Sequence, residues 1–387
     1  MAKKKRGNNE GSITYRKDKK IWEARVTIGY NDNGTQKRKS IYGKTRQEVA
    51  TKMNTLLNDV QKGIIINSEI TVSDWYDEYL SKYKKNIVKK TSYMNYMQWG
   101  INYIKPMLGH YKLAELTPHI VQNFINQLIE KELSTGTIHL IFTLLKSSLR
   151  NAVNNDMINK NPAAYIKTPE IITKVSNVLE PEQQIRFLEV AKNAKYGDIF
   201  ILMLCTGMRI GETIALKWDD INFTNEELYV KRTINLVKDL ENPNAKWRKE
   251  YGTPKTKSSE RTIPLQSTAI RLLKEVKSKQ EENIKNLGNA YENENLVFPN
   301  DLGKLLTQSH MNQRFAAICK KADISGLHPH CFRHTFATRG FENGVEILVM
   351  KELLGHKNLQ ETADLYTHVM ANKKINEMRK LEGTVAY

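Results

Sequence analysis

A chain of 387 residues can hold two or three domains, each with its own core. Its formal charge of +18 favours a polyanionic partner, without choosing among DNA, RNA and an acidic membrane. Cys205, Cys319 and Cys331 are widely spaced and lack any CxxC pattern, which argues against a disulfide framework or a cysteine zinc site and predicts reduced thiols.

The basic start MAKKKRGNNEG has no apolar segment behind it, so no signal peptide is expected. Residues 1–65 read as a small α+β module. From Ile21 to Tyr30 the residues alternate, with Trp22, Ala24, Val26 and Ile28 on one face and Glu23, Arg25 and Thr27 on the other, the period of a half-buried strand. Asn31 to Gly34 is a turn signal, Gln36 to Tyr42 returns as a strand, and Ser12 to Arg16 supplies a third. Thr45 and Glu48 form a capping-box pair opening a helix with the stripe Val49, Met53, Leu56, Leu57 and Val60. The sheet face away from this helix is expected to carry Arg16, Lys17, Arg25, Lys37, Arg38 and Lys39. Such a face either keeps the protein soluble or enters a DNA major groove.

Residues 70–160 read as a bundle of four helices. Their expected starts are Thr71, Thr91, Thr117-Pro118 and Ser134, each followed by an apolar stripe that includes Trp75 and Tyr79, Tyr93 and Tyr96, Phe124 and Leu128, or Ile141 and Leu145. Between the first two, Lys84, Lys85, Lys89 and Lys90, with Lys82, form a basic cluster suited to phosphate contacts. Asn159 to Pro162, with Pro169, makes a hinge. Residues 172–387 then read as mainly helical, with short strands around Glu227 to Thr233 and Arg261 to Leu265. The most apolar run, Ile199 to Cys205, is too short to span a bilayer, so a soluble protein with no membrane partner is expected. The fold class is multidomain, mostly α with small β elements.

Four ordered segments of the C-terminal half carry chemistry: TGMRIGE with Arg209, TPKTKSSERTIPL with Lys255, HPHCFRHTFATRG with His330 and Arg333, and LGHKNLQETADLYTHV with His356 and Tyr366. Cleaving a phosphodiester needs a nucleophile, a base, an acid for the leaving oxygen, and charge on the nonbridging oxygens. Arginine suits the last task because its planar fork is bidentate and permanently charged. His330 and Arg333 are three apart and share a helix face, while His334 is rotated about 100° from Arg333. Glu212 either orients Arg209 through an ion pair or anchors the turn. No metal-ligand spacing and no GxxxxGK[ST] loop is present, so neither metal nor nucleotide cofactor is expected.

At these segments the chain strongly resembles the tyrosine recombinase (lambda-integrase) family, especially integrases of phages and integrative conjugative elements. The resemblance implies an arm-type DNA-binding domain at 1–65, a SAM-like core-binding domain at 70–160 and a catalytic domain at 172–387. It also implies a C-shaped clamp on double-stranded DNA. Arg209 and Arg333 become the phosphate clamp, His330 the acid–base histidine selected by the HxxR spacing, and His356 a donor to the phosphate or the nucleophile. Lys255 becomes the acid for the 5′-oxygen, with Lys257 as the alternative, and Tyr366 the nucleophile that yields a 3′-phosphotyrosine. One more residue separates His356 from Tyr366 than in many members. The implied partners are core and arm-type sites, three further protomers in a tetramer on DNA, a DNA-bending helper and a directionality factor. The implied location is the nucleoid of a bacterial cytoplasm. Met370, Ile375, Met378 and Leu381 are spaced to pack either on a neighbouring protomer or on their own. Rival functions are a type IB topoisomerase, against which the arm-like module argues, and a catalytically silent DNA-binding regulator, against which all six residues argue.

Overall fold

The computed structural model describes residues 12–30, 35–61, 69–171, 177–238, 244–252, 259–363 and 365, in two compact units, Met1–Thr173 and Lys174–Tyr387. The expected turn at Asn31 to Gly34, Lys255, Lys257, Tyr366 and the segment Met370 to Leu381 lie outside the described residues.

The first unit opens with strands β1 (Ser12–Arg16), β2 (Ile21–Tyr30) and β3 (Gln36–Gly43), antiparallel in that spatial order, and helix α1 (Arg46–Gln61). Alternation puts Ala24 and Val26 of β2 under the helix, where both are buried with Val49. Gly43 is required by this contact, since a Cβ there would stand 2.7 Å from Cγ2 of Val49. Thr45 Oγ1 accepts the Glu48 amide at 3.2 Å, as a capping residue should. The return bond differs from the expected box: the Glu48 carboxylate accepts from the Lys44 amide instead.

Register corrects the expected basic face. Thr27 pairs with Arg38 and Val26 with Lys39, and paired residues point to the same side of a sheet. Arg38 therefore faces out, while Lys39 lies on the α1 side and is half-buried. Consecutive strand residues cannot share a face. Lys17 lies in the turn after β1.

Helices α2 (Val72–Glu78), α3 (Lys90–Trp99), α4 (Lys105–Leu108), α5 (Pro118–Glu130) and α6 (Thr135–Asn154) follow. Thr71, Thr117 and Ser134 cap α2, α5 and α6 through their side-chain oxygens, as expected. Thr91 does not open α3, which starts one residue earlier after Lys89, a residue that makes no side-chain cap bond. Two π-helical turns, Tyr79–Lys84 and Gly100–Ile104, extend α2 and join α3 to α4. The core holds Trp75, Tyr76, Tyr79, Phe124, Leu128, Ile141 and Leu145. The Trp75 indole donates to the Ser148 carbonyl at 3.1 Å, which satisfies the one polar atom that this ring buries.

The second unit contains α7 (Pro181–Lys192), α8 (Gly197–Thr206), α9 (Ile210–Thr213), β4 (Ile221–Asn222), β5 (Glu227–Val230), β6 (Thr233–Val237), β7 (Arg248–Gly252), β8 (Arg261–Pro264), α10 (Ser267–Leu287), α11 (Gln308–Lys321), α12 (His330–Glu342) and α13 (Ile347–Leu354). The strands form a β4-β5-β8 sheet and a separate β6-β7 ladder. The apolar run at Ile199 is the core helix α8, wrapped by α7, α10, α11 and α12. Phe187, Phe200, Phe315 and Phe332 interlock around it, largely edge to face. No helix among the described residues is long and apolar enough to cross a membrane.

Candidate active site

The candidate clamp begins where α8 stops. Gly207 takes φ 65° and has no room for a side chain, because a Cβ would lie 2.5 Å from the Phe336 ring. The chain then reverses, and Arg209 occupies the N-cap position of α9. Glu212 receives the Arg209 guanidinium at 2.8 Å on Oε1 and the Arg209 amide at 3.1 Å on Oε2. Oε2 also accepts Arg261 from β8 at 3.0 Å. Burial alone would raise the Glu212 pKa, but Arg261 and Arg209 together hold it below the usual carboxylate range. Of the two sequence readings of Glu212, both are met: it orients Arg209 and it fixes the turn.

Arg333 lies in the first turn of α12 and is 1 % exposed. Its guanidinium donates to the Gly207 carbonyl at 2.9 Å and to the Leu354 carbonyl. One side chain therefore joins the Arg209 turn to the end of α13. That helix ends at Gly355, φ 65°, and the next residue is His356. Burial, with repulsion from Arg209 and Arg261, pulls the Arg333 pKa well down. An anion arriving at this site would relieve that repulsion.

His330, the first residue of α12, is partly exposed; its ring meets His334 edge-on at 4.7 Å and stacks with His328 at 6.4 Å. Desolvation first, then His334, Arg333 and Arg209, lower its pKa to about 4. His356 is buried, and desolvation with Arg333, Arg209 and His330 lowers it to about 3. Both rings are thus neutral near pH 7 and able to accept a proton. Nδ1 of His356 meets the buried Thr362 hydroxyl at 2.9 Å. When Thr362 donates this bond, Nε2 carries the ring proton and becomes a hydrogen-bond donor. Thr362 had no signal in the sequence beyond its place between His356 and Tyr366.

Arg209, His330, Arg333 and His356 therefore act on one another electrostatically as one cluster. Lys255 falls between β7 and β8. Leu365, the residue before Tyr366, is buried with Ala337, Phe341, Met350 and Leu354 beside the cluster's helices.

The depressed His356 makes stability depend on pH. Its unfolded pKa is about 6.5, so on acidification the unfolded chain takes up a proton that the folded ring refuses. The contribution is present above roughly pH 6.5 and fades as pH falls toward 3. Between pH 6.5 and 5 the loss should reach up to about 2 kcal/mol. Urea unfolding of the protein and its His356→Gln variant at both pH values should show a shallower decline in the variant. Parallel declines would mean the imidazole is not the group responsible.

In the first unit, Arg16 and Arg25 share one carboxylate: their Nε atoms donate to Glu23 at 2.6 and 3.0 Å. Glu23 is 4 % exposed, and the Arg25 hydrogen bond leads the effects that lower it to about 2, despite burial. The sequence reading placed Glu23 on this face without seeing that it neutralises part of the charge there. Arg38 bonds Gln36, and Lys37 pairs with Gly29 across the ladder. In the bundle, Lys84 lies over the Tyr79 ring at 5.2 Å, Lys82 pairs with Glu78, and Lys85, Lys89 and Lys90 are exposed on the α2–α3 connection.

Two arginines and two neutral imidazoles gathered on a mainly helical fold define a site for handling a phosphodiester. The phage integrase family matches residues 177–373, and the phage integrase N-terminal SAM-like domain matches residues 71–129. The chain is 33% identical over 376 residues to a XerC-like tyrosine recombinase of Caldanaerobacter subterraneus subsp. tengcongensis, covering 94% of this chain and 96% of that one. It is 25% identical to the ICEBs1 integrase of Bacillus subtilis, over 76% and 79% of the two chains. Its fold matches the Tn1549 transposon integrase, solved with a circular intermediate DNA, at a TM-score of 0.68 and 23% identity, over 81% of this chain and all of that one. The chain belongs to the phage integrase family. It is an enzyme, a site-specific tyrosine recombinase of the lambda-integrase type.

Proposed function

We propose that Arg209, Arg333, His330 and His356 hold the scissile phosphate of double-stranded DNA while the Tyr366 hydroxyl attacks it. The phenolic oxygen bonds to phosphorus and its proton passes to His330. The bond to the 5′-oxygen breaks, and Lys255 protonates that oxygen. A 3′-phosphotyrosine and a free 5′-hydroxyl result, and attack by a 5′-hydroxyl from a second duplex reverses the step and exchanges strands. The phosphotyrosine keeps the bond energy, so no nucleotide is consumed. The observation that carries this reading is Arg333, which gathers the Gly207 and Leu354 carbonyls and so brings Arg209 and His356 to one point. A nicked suicide duplex bearing the element's junction sequence should trap a covalent complex. Transfer of the cut strand to a separate duplex would distinguish recombination from simple relaxation of DNA.

On this reading 1–65 is the arm-binding domain, 70–160 the core-binding domain and 172–387 the catalytic domain. Exchange between two duplexes takes four cleavages, hence four protomers assembled on DNA. The setting is the nucleoid of a bacterial cytoplasm, with a DNA-bending protein and a directionality factor as further partners. The charge of +18 and the exposed lysines of the α2–α3 connection support DNA contact.

Removing residues 1–65 should separate the two DNA surfaces. The sheet with Arg16, Arg25 and Arg38 is lost, while the bundle and all six active-site residues remain. Each lost phosphate contact should lower the salt slope of binding by about one unit. Arm-site binding should vanish and core-site cleavage through Tyr366 should persist, with integration between full sites failing. Normal integration by the truncated protein would make the basic face merely solubilising.

A further inference from the structure

Resting on the clamp reading above, we infer that Arg261 is a positioning residue: it neutralises Glu212, leaving the charge of Arg209 for the phosphate, and holds the α13 terminus that carries His356. All three of its nitrogens are committed inside the protein. Nη2 meets Glu212 at 3.0 Å, Nε the Leu353 carbonyl at 2.6 Å and Nη1 the Ser259 carbonyl at 3.1 Å. Its side chain is 5% exposed, so it does not reach a phosphate itself.

The charges decide its role. Arg209 and Arg261 both pair with one carboxylate, Glu212, which leaves one positive charge over from that trio beside Arg333. Without Arg261, Glu212 would cancel Arg209, and in a desolvated site that loss is strongly felt. The backbone contacts add a second effect. Leu353 and Leu354 present successive carbonyls to Arg261 and Arg333, two and one residues before Gly355. The carboxylate that orients Arg209 thus also anchors, through Arg261, the turn that aims His356. One ion-pair network sets both sides of the phosphate pocket.

Arg261→Met keeps an unbranched apolar stem and removes the charged guanidinium. Single-turnover cleavage of the suicide duplex should fall about 10²-fold, with duplex binding within about threefold, because the groups are displaced and not lost. Adding Glu212→Gln removes the stranded carboxylate and should recover about tenfold or more of the rate. A methylphosphonate at the scissile position carries no charge to neutralise, so the deficit of Arg261→Met should shrink on that substrate. Where thermal melting shows Arg261→Met unfolded, Arg261→Lys tests the charge by itself, since it keeps a cation for Glu212 but not the fork that reaches Leu353 and Ser259, and should cleave within about tenfold of the parent. A double variant no faster than the single one, an equal deficit on both phosphates, or a folded Arg261→Lys that cleaves 10²-fold slower or worse overturns the inference. If the unmodified protein forms no Tyr366-dependent complex, the clamp reading itself fails. If it does and Arg261→Met cleaves normally, only the role of Arg261 falls.

Discussion

Tyr366→Phe should give no covalent protein–DNA complex on a suicide duplex, while its affinity for the same duplex stays near that of the parent. Only a hydroxyl is removed, so packing hardly changes. The chain has 17 tyrosines, and the chemistry must choose one. Several others in the second unit are committed elsewhere. Tyr229 donates to Glu227 at 2.7 Å, a bond that raises its pKa and makes it a poorer nucleophile. The Tyr291 hydroxyl is bonded by Gln280 at 2.7 Å. Tyr196 is pushed up by burial. Tyr366 instead follows Leu365, which is buried against Met350 and Leu354, the latter also bonded by Arg333. Complexes that persist in Tyr366→Phe, mapped by peptide sequencing, would assign the nucleophile to another tyrosine.

What the sequence revealed was local. Thr71, Thr117 and Ser134 announce their helices because a cap bond spans three residues. The same rule misplaced Thr91, since α3 begins at a lysine that has no capping oxygen to show. HxxR was readable because one helical turn aligns His330 with Arg333. What the sequence concealed is held together across distance. Arg261 stood in a recognisable RTIP segment, yet two of its three partners, Glu212 and Leu353, lie 49 and 92 positions away. Glu23 looked like one polar residue in an alternating strand, and only the register with β1 and β3 gave it Arg16 and Ser40. Strands β4 and β7 escaped because β4 is two residues long and β7, RKEYG, buries no residue fully, while β6 begins at Thr233, where the expected strand from Glu227 ended. The π-helical turns have no periodic signature at five or six residues.

The contrast explains why chemistry was easier to read than architecture. Residues suited to hold a phosphate are restricted in type, and in this chain the proposed ones stand at the ends of elements: Arg209 at the N-cap of α9, His330 and Arg333 in the first turn of α12, and His356 just past α13. Each end is marked by glycine or proline: Gly207, Pro329 and Gly355. The groups that hold those ends, Glu212, Arg261 and Thr362, are ordinary in type, and only their partners make them specific.

Lys255→Ala should slow cleavage of ordinary DNA by roughly 10²–10⁴-fold, the usual effect of losing a general acid. The leaving 5′-oxygen is a poor leaving group as an alkoxide, and none of the other clamp groups is suited to protonate it. The arginines do not release protons near neutrality, and His330 and His356 are largely unprotonated there because desolvation and the neighbouring histidines and arginines depress them. A lysine in the sequence between β7 and β8 is the remaining candidate. Replacing the 5′-bridging oxygen with sulfur bypasses the need, because a thiolate departs without a proton. On that substrate Lys255→Ala should cleave at nearly the parent rate, and Lys257→Ala should behave like the parent on both. If sulfur rescues Lys257→Ala and leaves Lys255→Ala slow, the acid is Lys257. If it rescues neither, the proton comes from a group other than these two lysines.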